Sequence, residues 1–215
     1  MQKKVYPDTA NPHQKTVKRV ENICVYCGSG PGADPAYTEA ARTLGRTLAE
    51  TGIGLVYGGG GIGLMGEVAE ATLSHGGRVT GIIPKFLTVR EKMKLSANEL
   101  IVTENMHERK QLMFDRSDAF VALPGGVGTL EELVEQLTWS QLGQHQKPII
   151  IANINGFWTP FLKLLTHMEE QAFIRPGLSL DFIVVDRADE IVDVAVSAAT
   201  KAKEGASEES VLAKF

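Results

Sequence analysis

The 215-residue chain has no apolar run approaching the roughly 20 residues that cross a bilayer. Its polar start, M-Q-K-K-V-Y-P-D-T, lacks the apolar middle of a signal peptide, so a cytoplasmic location is expected. There is no long basic block: 22 Lys plus Arg stand against 26 Asp plus Glu, a formal net charge of -4, and neither nucleic acid nor membrane is an expected partner. The five histidines are scattered and form no H-E-x-x-H or comparable cluster, so no metal is signalled. Only two cysteines occur, Cys24 and Cys27 in I-C-V-Y-C. Side chains three apart on a strand point to opposite faces, which disfavours a shared metal or a disulfide unless the strand ends between them. Two small core residues are expected.

Residues 1–20 are polar and carry Pro7 and Pro12 without apolar periodicity, and K-A-K-E-G-A-S-E-E-S near the other end is as poor in core formers. Residues 1–20 and 201–215 therefore read as loose tails around a single domain at 21–200. Within it, I-C-V-Y (23–26), G-L-V-Y (54–57), V-T-G-I-I (79–83), L-I-V-T (100–103), A-F-V-A-L (119–123), P-I-I-I-A (148–152) and F-I-V-V (182–185) are continuously apolar, as strands covered on both faces are. Helix-length segments at 35–51, 63–76, 106–117, 129–142, 158–172 and 188–202 separate or follow them. The alternation predicts an α/β fold, a Rossmann-like doubly wound, mostly parallel sheet with helices on both faces. Ligands of such folds collect where loops leave the carboxyl ends of the strands.

Three glycine-rich loops fall at such strand ends: C-G-S-G-P-G, Y-G-G-G-G-I-G and L-P-G-G-V-G-T. Residues 61–66, G-I-G-L-M-G, match G-x-G-x-x-G, the fingerprint of dinucleotide sites. The loop follows the second strand rather than the first, and the next strand ends I-I-P-K-F with no acid for a ribose hydroxyl, so NAD is not expected. Taken alone, Gly58 to Gly66 fit tight strand-to-helix packing as well as ligand contact. The two other loops at equivalent strand ends favour ligand contact, with a helix N-terminus beyond to attract an anion. In P-G-G-V-G-T (124–129), Gly125, Gly126 and Gly128 stand just before a helix, so unpaired amides and the positive dipole end face one phosphate.

The continuation T-L-E-E has two readings. Thr129 with Glu132 three residues on is a capping box, in which Glu131, Glu132 and Glu135 are ordinary helix-start acids. A carboxylate beside a phosphate cradle is otherwise unfavourable unless chemistry uses it, which suggests a nucleotide whose sugar faces the acid. The readings are compatible: Thr129 caps the helix and binds ligand while Glu132 stands one turn in. A second cluster, M-H-E-R-K (106–110), opens another helix at a strand end; Arg109 and Lys110 are either solvated charges or rim cations, and Arg90 and Glu91 in P-K-F-L-T-V-R-E pose the same choice. His107 reads as a helix-start residue rather than a base.

Together, P-G-G-V-G-T-L-E-E, M-H-E-R-K and Y-G-G-G-G-I-G-L-M-G resemble the LONELY GUY family, with the similarity covering about residues 20–198. Members are cytokinin riboside 5'-monophosphate phosphoribohydrolases. Family proteins have often carried the label lysine decarboxylase, but no lysine with a supporting carboxylate marks a pyridoxal phosphate site, and no cofactor is expected. The resemblance implies Arg109 and Glu132 as a catalytic pair, with Lys110 beside them and Glu91 in the substrate site. It implies that Gly126, Val127, Gly128, Thr129, Leu130 and Glu131 line the nucleotide phosphate and ribose, that Thr138 contacts substrate, and that the protein is a homodimer or larger. The loop K-M-K-L-S-A-N-E-L departs from the G-E-x-x-G-E of plant members, which bears on the base and not on the reaction.

The chemistry agrees. Cleaving an N-glycosidic bond builds positive charge at the anomeric carbon, which a carboxylate such as Glu132 stabilises, while Arg109 serves the leaving base or the phosphate. The expected reaction converts N6-modified AMP, or AMP, and water to free base and ribose 5-phosphate. The competing expectation is a nucleotide or molybdenum-cofactor carrier that uses the same groove without turnover.

Overall fold

A computed structural model describes residues 20–88, 97–174 and 180–212, with side chains to residue 202 in the last segment. Seven strands form one parallel sheet: β1 (Asn22–Tyr26), β2 (Gly54–Tyr57), β3 (Val79–Pro84), β4 (Glu99–Thr103), β5 (Ala119–Ala122), β6 (Ile149–Ala152) and β7 (Ile183–Val185). Their spatial order is β4-β3-β2-β1-β5-β6-β7. The helices are α1 (Pro35–Thr51), α2 (Gly63–Ser74), α3 (Met106–Asp115), α4 (Val127–Gln141), α5 (Thr159–Glu170) and α6 (Ile191–Leu212). The expected Rossmann-like doubly wound fold is thus observed, with every strand pair parallel.

Alternation along β1 sorts side chains into two cores. Ile23 and Val25 pack with Leu44 and Leu48 of α1, Val68 of α2 and Ile191 of α6. Cys24 and Tyr26 pack on the other face with Met113 of α3, Leu133 of α4 and Leu165 of α5. Three helices on each face bury the strands from both sides, which is why the runs are apolar without alternation. Truncating a fully buried leucine such as Leu133 to alanine costs about 2–5 kcal/mol in such an interior. Cys24 and Cys27 are free and buried, in opposite cores.

Several boundaries differ from the sequence expectation. Helix α4 begins at Val127 rather than 129, and α6 continues past 202 to Leu212, into the stretch expected to be loose. No helix among the described residues is long and apolar enough to cross a membrane.

The strand order places the functional cleft. Chain order runs outward from β1 through β2, β3 and β4, then returns so that β5 lies on the other side of β1. The loop after β1 leads to α1 on one face and the loop after β5 leads to α4 on the other, and a crevice opens between them. Its floor is stitched by Leu123 N–H to Tyr26 O (2.9 Å) and Gly28 N–H to Pro124 O (3.1 Å).

Candidate active site

A cleft of about 330 Å³ lies over this switch point, lined by the ends of β1 and β2 and the first turns of α2, α3 and α4. The start of α4 forms one wall. Its N-cap is Gly126, in extended backbone with no side-chain cap, and the first intrahelical bond runs from Leu130 N–H to Gly126 O at 3.0 Å. The amides of Val127, Gly128 and Thr129 therefore precede the helical ladder and meet the open cleft at the positive end of the dipole. Gly126, Val127 and Gly128 are exposed there, Val127 at 83%. Thr129 is buried, its hydroxyl packed where a Cβ on Gly125 would overlap it. Gly125 thus lets the helix start close to the sheet.

The capping-box reading of Thr129 and Glu132 is overturned by this register. Thr129 lies inside the first turn and Glu132 in the second, too far along to reach the cap amide. A near-equivalent box sits instead at α3. Asn105 Oδ1 accepts from Glu108 N–H at 2.9 Å, and Glu108 Oε2 accepts from Glu104 N–H at 2.9 Å. That cap sets where α3 begins and so where Arg109, in its first turn, enters the cleft.

Arg109 and Glu132 meet in the cleft wall as a buried ion pair, Nη1 to Oε1 at 2.9 Å, each residue 8% exposed. Nε of Arg109 donates to Ile82 O at the end of β3 (3.1 Å), and Nη1 also lies 3.9 Å from Met106 Sδ. Burial pushes the Glu132 carboxyl above its ordinary range; Arg109 pulls it back, and Glu131 beside it pushes it up. Burial, with the Glu132 charge added, drives the Cys24 thiol up to about 12 and the Cys27 thiol up as well. Neither thiol is a nucleophile near neutral pH.

The other expected residues divide. Glu131 lines the cleft, but its carboxylate is bound by Lys110, which also pairs with Glu135 at 3.3 Å. Lys110 is thus a brace between α3 and α4 and does not line the cleft. Leu130 points into the core under α4. Thr138 is exposed two turns beyond the cleft, its hydroxyl donating to Val134 O at 2.8 Å. Glu91 and most of K-M-K-L-S-A-N-E-L lie outside the described residues.

The loop at 58–66 behaves unlike its expectation. The amides of Leu64 and Met65 donate to Gly30 O (3.4 Å) and Gly28 O (3.3 Å), so the α2 N-terminus is spent on the loop after β1. Gly63, at φ 59°, lies where any Cβ would overlap the Ser29–Gly30 backbone. Ligand contact from this loop reduces to Gly58 and Met65. Both fall within the stretch for which ligand contact was expected; sequence reasoning missed Tyr26, Ser29, Leu87 and Met106, which also line the cleft. Tyr26, in the run I-C-V-Y, reads as core, and only the C-G-S-G signal pointed to Ser29.

A family model described as "Possible lysine decarboxylase" matches residues 65–195. Among the described residues no lysine lines the cleft, so the site does not supply the anchor which that label implies. The chain is 45% identical over 180 residues to cytokinin riboside 5'-monophosphate phosphoribohydrolase LOG7 of Arabidopsis thaliana, covering 83% of this chain and 82% of that protein. It is 47% identical over 174 residues to the rice (Oryza sativa subsp. japonica) protein LOG of the same activity name, covering 81% and 72%. Among solved structures, the molybdenum cofactor carrier protein of Chlamydomonas reinhardtii matches at a TM-score of 0.64 and 21% identity, over 84% of this chain and 98% of that one. The molybdenum cofactor binding protein of Rippkaea orientalis matches at 0.60 and 22%, over 84% and 98%. Those two likenesses concern the fold alone. The sequence relatives go further, and with the family model they show that this chain belongs to the LONELY GUY family.

Proposed function

We propose that the chain hydrolyses the N-glycosidic bond of nucleoside 5'-monophosphates in the cytoplasm, taking AMP and its N6-modified cytokinin riboside forms and releasing free base and ribose 5-phosphate. One observation carries the reading: a buried carboxylate, Glu132, held by Arg109 one turn beyond a helix N-terminus whose amides have no partner among the described residues. A 5'-phosphate on the amides of Val127, Gly128 and Thr129 sets the ribose against the second turn of α4. Glu132 then faces the anomeric carbon, where it stabilises the oxocarbenium-like charge and orients the attacking water. Arg109 supplies the opposite charge to the leaving base, since the phosphate already has the helix.

Lys110 serves the site indirectly by neutralising Glu131 and Glu135, which would otherwise repel the phosphate. Glu91 keeps the substrate contact that the family resemblance implies. Val134 (41% exposed), Thr138 and Leu142 (66% exposed) recur every four residues along α4, one stripe of one helix face. A second copy covering that stripe makes a homodimer in which Thr138 reaches the neighbour's cleft.

A carrier needs the anion-binding amides but has no use for a buried carboxylate above them, and the relatives named as phosphoribohydrolases are about twice as similar in sequence as the carriers. Incubation with AMP and with isopentenyladenosine monophosphate, followed by chromatography, is expected to yield free base and ribose 5-phosphate. Nucleotide binding with no base released at any pH would establish the carrier instead.

A further inference from the structure

The guanidinium of Arg109 spends its nitrogens unequally. Nε is tied to the Ile82 carbonyl at 3.1 Å and Nη1 to Glu132 at 2.9 Å. Nη2 has no acceptor among the described residues and rests over the Cα of Gly58, where a Cβ would overlap it and would stand 3.2 Å from Met65 Sδ. Gly58, Met65 and Arg109 all line the cleft. The Gly58 backbone is not left-handed, so nothing in its conformation demands glycine. The demand comes from the arginine. We propose that Gly58 is a positioning residue: its missing side chain forms a slot that leaves Nη2 of Arg109 facing the cleft as the one nitrogen reserved for substrate. The two tied nitrogens fix the plane of the fork, and the slot decides where its third corner points. This rests on the phosphoribohydrolase reading above.

In Gly58→Ala the new methyl cannot coexist with Nη2 in place. Because Nε and Nη1 are held, the displacement falls on the fork as a whole and disturbs the pair with Glu132. The test is a double-mutant cycle on the full chain, with AMP as substrate, of wild type, Gly58→Ala, Arg109→Lys and the double variant, each also melted thermally. Gly58→Ala should lower kcat on the order of 100-fold, the loss expected from misplacing a catalytic group by about 1 Å, with little change in KM and a lowered melting temperature that the folded fraction survives. In the Arg109→Lys background, which has no Nη2, the same substitution should cost less than about twofold.

Equal losses in both backgrounds, or full kcat in Gly58→Ala, would overturn the proposal, because Gly58 would then act on something other than the arginine. Should Gly58→Ala fail to fold, Arg109→Ala with Gly58 intact decides: free guanidinium should enter the slot and restore part of the activity, and no restoration would overturn the slot. If wild type releases no base, the functional reading fails first and the slot falls with it; an active wild type with an undisturbed Gly58→Ala sinks the slot alone.

Discussion

Two strand-to-helix loops of this chain look alike on paper, Gly58 to Gly66 after β2 and Pro124 to Thr129 after β5, yet they do opposite things. At α2 the first amides are already bound by the carbonyls of Gly28 and Gly30, and Gly63 gives the loop after β1 room to lie against it. At α4 the first amides have no partner among the described residues, and the glycines leave them open to the cleft. A glycine run announces that something approaches the backbone closely. Whether that is another loop or a ligand is decided by position in the sheet. The α4 loop stands at the β1/β5 reversal and the α2 loop one strand away from it.

The sharpest test of that contrast is on the α4 side. Glu132→Gln keeps the shape of the side chain and removes its charge, and it should lower kcat roughly 100- to 10,000-fold with KM little changed, as for loss of a group used in the transition state. A variant that keeps its kcat would reduce Glu132 to a structural acid and leave the two loops functionally alike.

On the α2 side the loss should appear in stability. Gly63→Ala forces a left-handed residue to carry a Cβ into the Ser29–Gly30 backbone, at a cost on the order of 1–3 kcal/mol or more. Thermal unfolding should register this as roughly 2–4 °C per kcal/mol for a chain of this size. KM for the nucleotide in the folded fraction should stay near wild type. A rise in KM at unchanged stability would mean that the N-terminus of α2 touches ligand after all.

The contrast was only half legible in the letters. Strands, and every helix but the far end of α6, could be read to within a few residues, because runs such as I-C-V-Y and A-F-V-A-L are apolar enough to need burial on both faces. Strand order could not, since nothing local says that β5 returns beside β1. For that reason 61–66 was still expected to join 124–129 at a ligand, though on a weaker case. The start of α4 was misplaced because Thr129–Glu132 mimics a capping box, while the actual one, Asn105–Glu108, fits the same pattern of spacing. Arg109 and Glu132, on separate helices, came from family resemblance, and the fold supplies their 2.9 Å contact. Lys110 was read as a substrate contact because a cation beside Arg109 looks free when its partners Glu131 and Glu135 are out of sight.

A subtler change separates the amides from the side chains of the α4 loop. Val127 is the first helical residue, a position where proline is well tolerated, and Gly126 before it is already extended, at ψ -161°, as a residue preceding proline prefers. Val127→Pro deletes one amide donor and little else. Losing one hydrogen bond to a charged phosphate, about 1.5 kcal/mol, should raise KM for AMP about tenfold while kcat and melting temperature hold. An unchanged KM would take the Val127 amide out of the anion site and weaken the distinction from α2.

The smallest expected effect concerns what the carboxylate does to the fold. Burial holds Glu132 above its ordinary value of 4.5, and the counter-pull of Arg109 is not enough to cancel it. With the folded value above the unfolded one, the folded state binds the proton more tightly, so this stability is fully present below the unfolded value and is lost as pH rises through the folded one. Glu132→Gln carries no charge to bury, and Arg109 keeps its bond to the Ile82 carbonyl, so the variant escapes that loss. Melting temperatures of the two proteins should diverge in favour of Gln as pH rises above the ordinary carboxylate value and through the raised folded one, by roughly 2–4 °C per kcal/mol. A gap that stays flat over that range would mean that Arg109 fully compensates the buried charge. A widening gap, in a variant that has lost its kcat, would mark Glu132 as an acid kept ionised for chemistry against the preference of the fold.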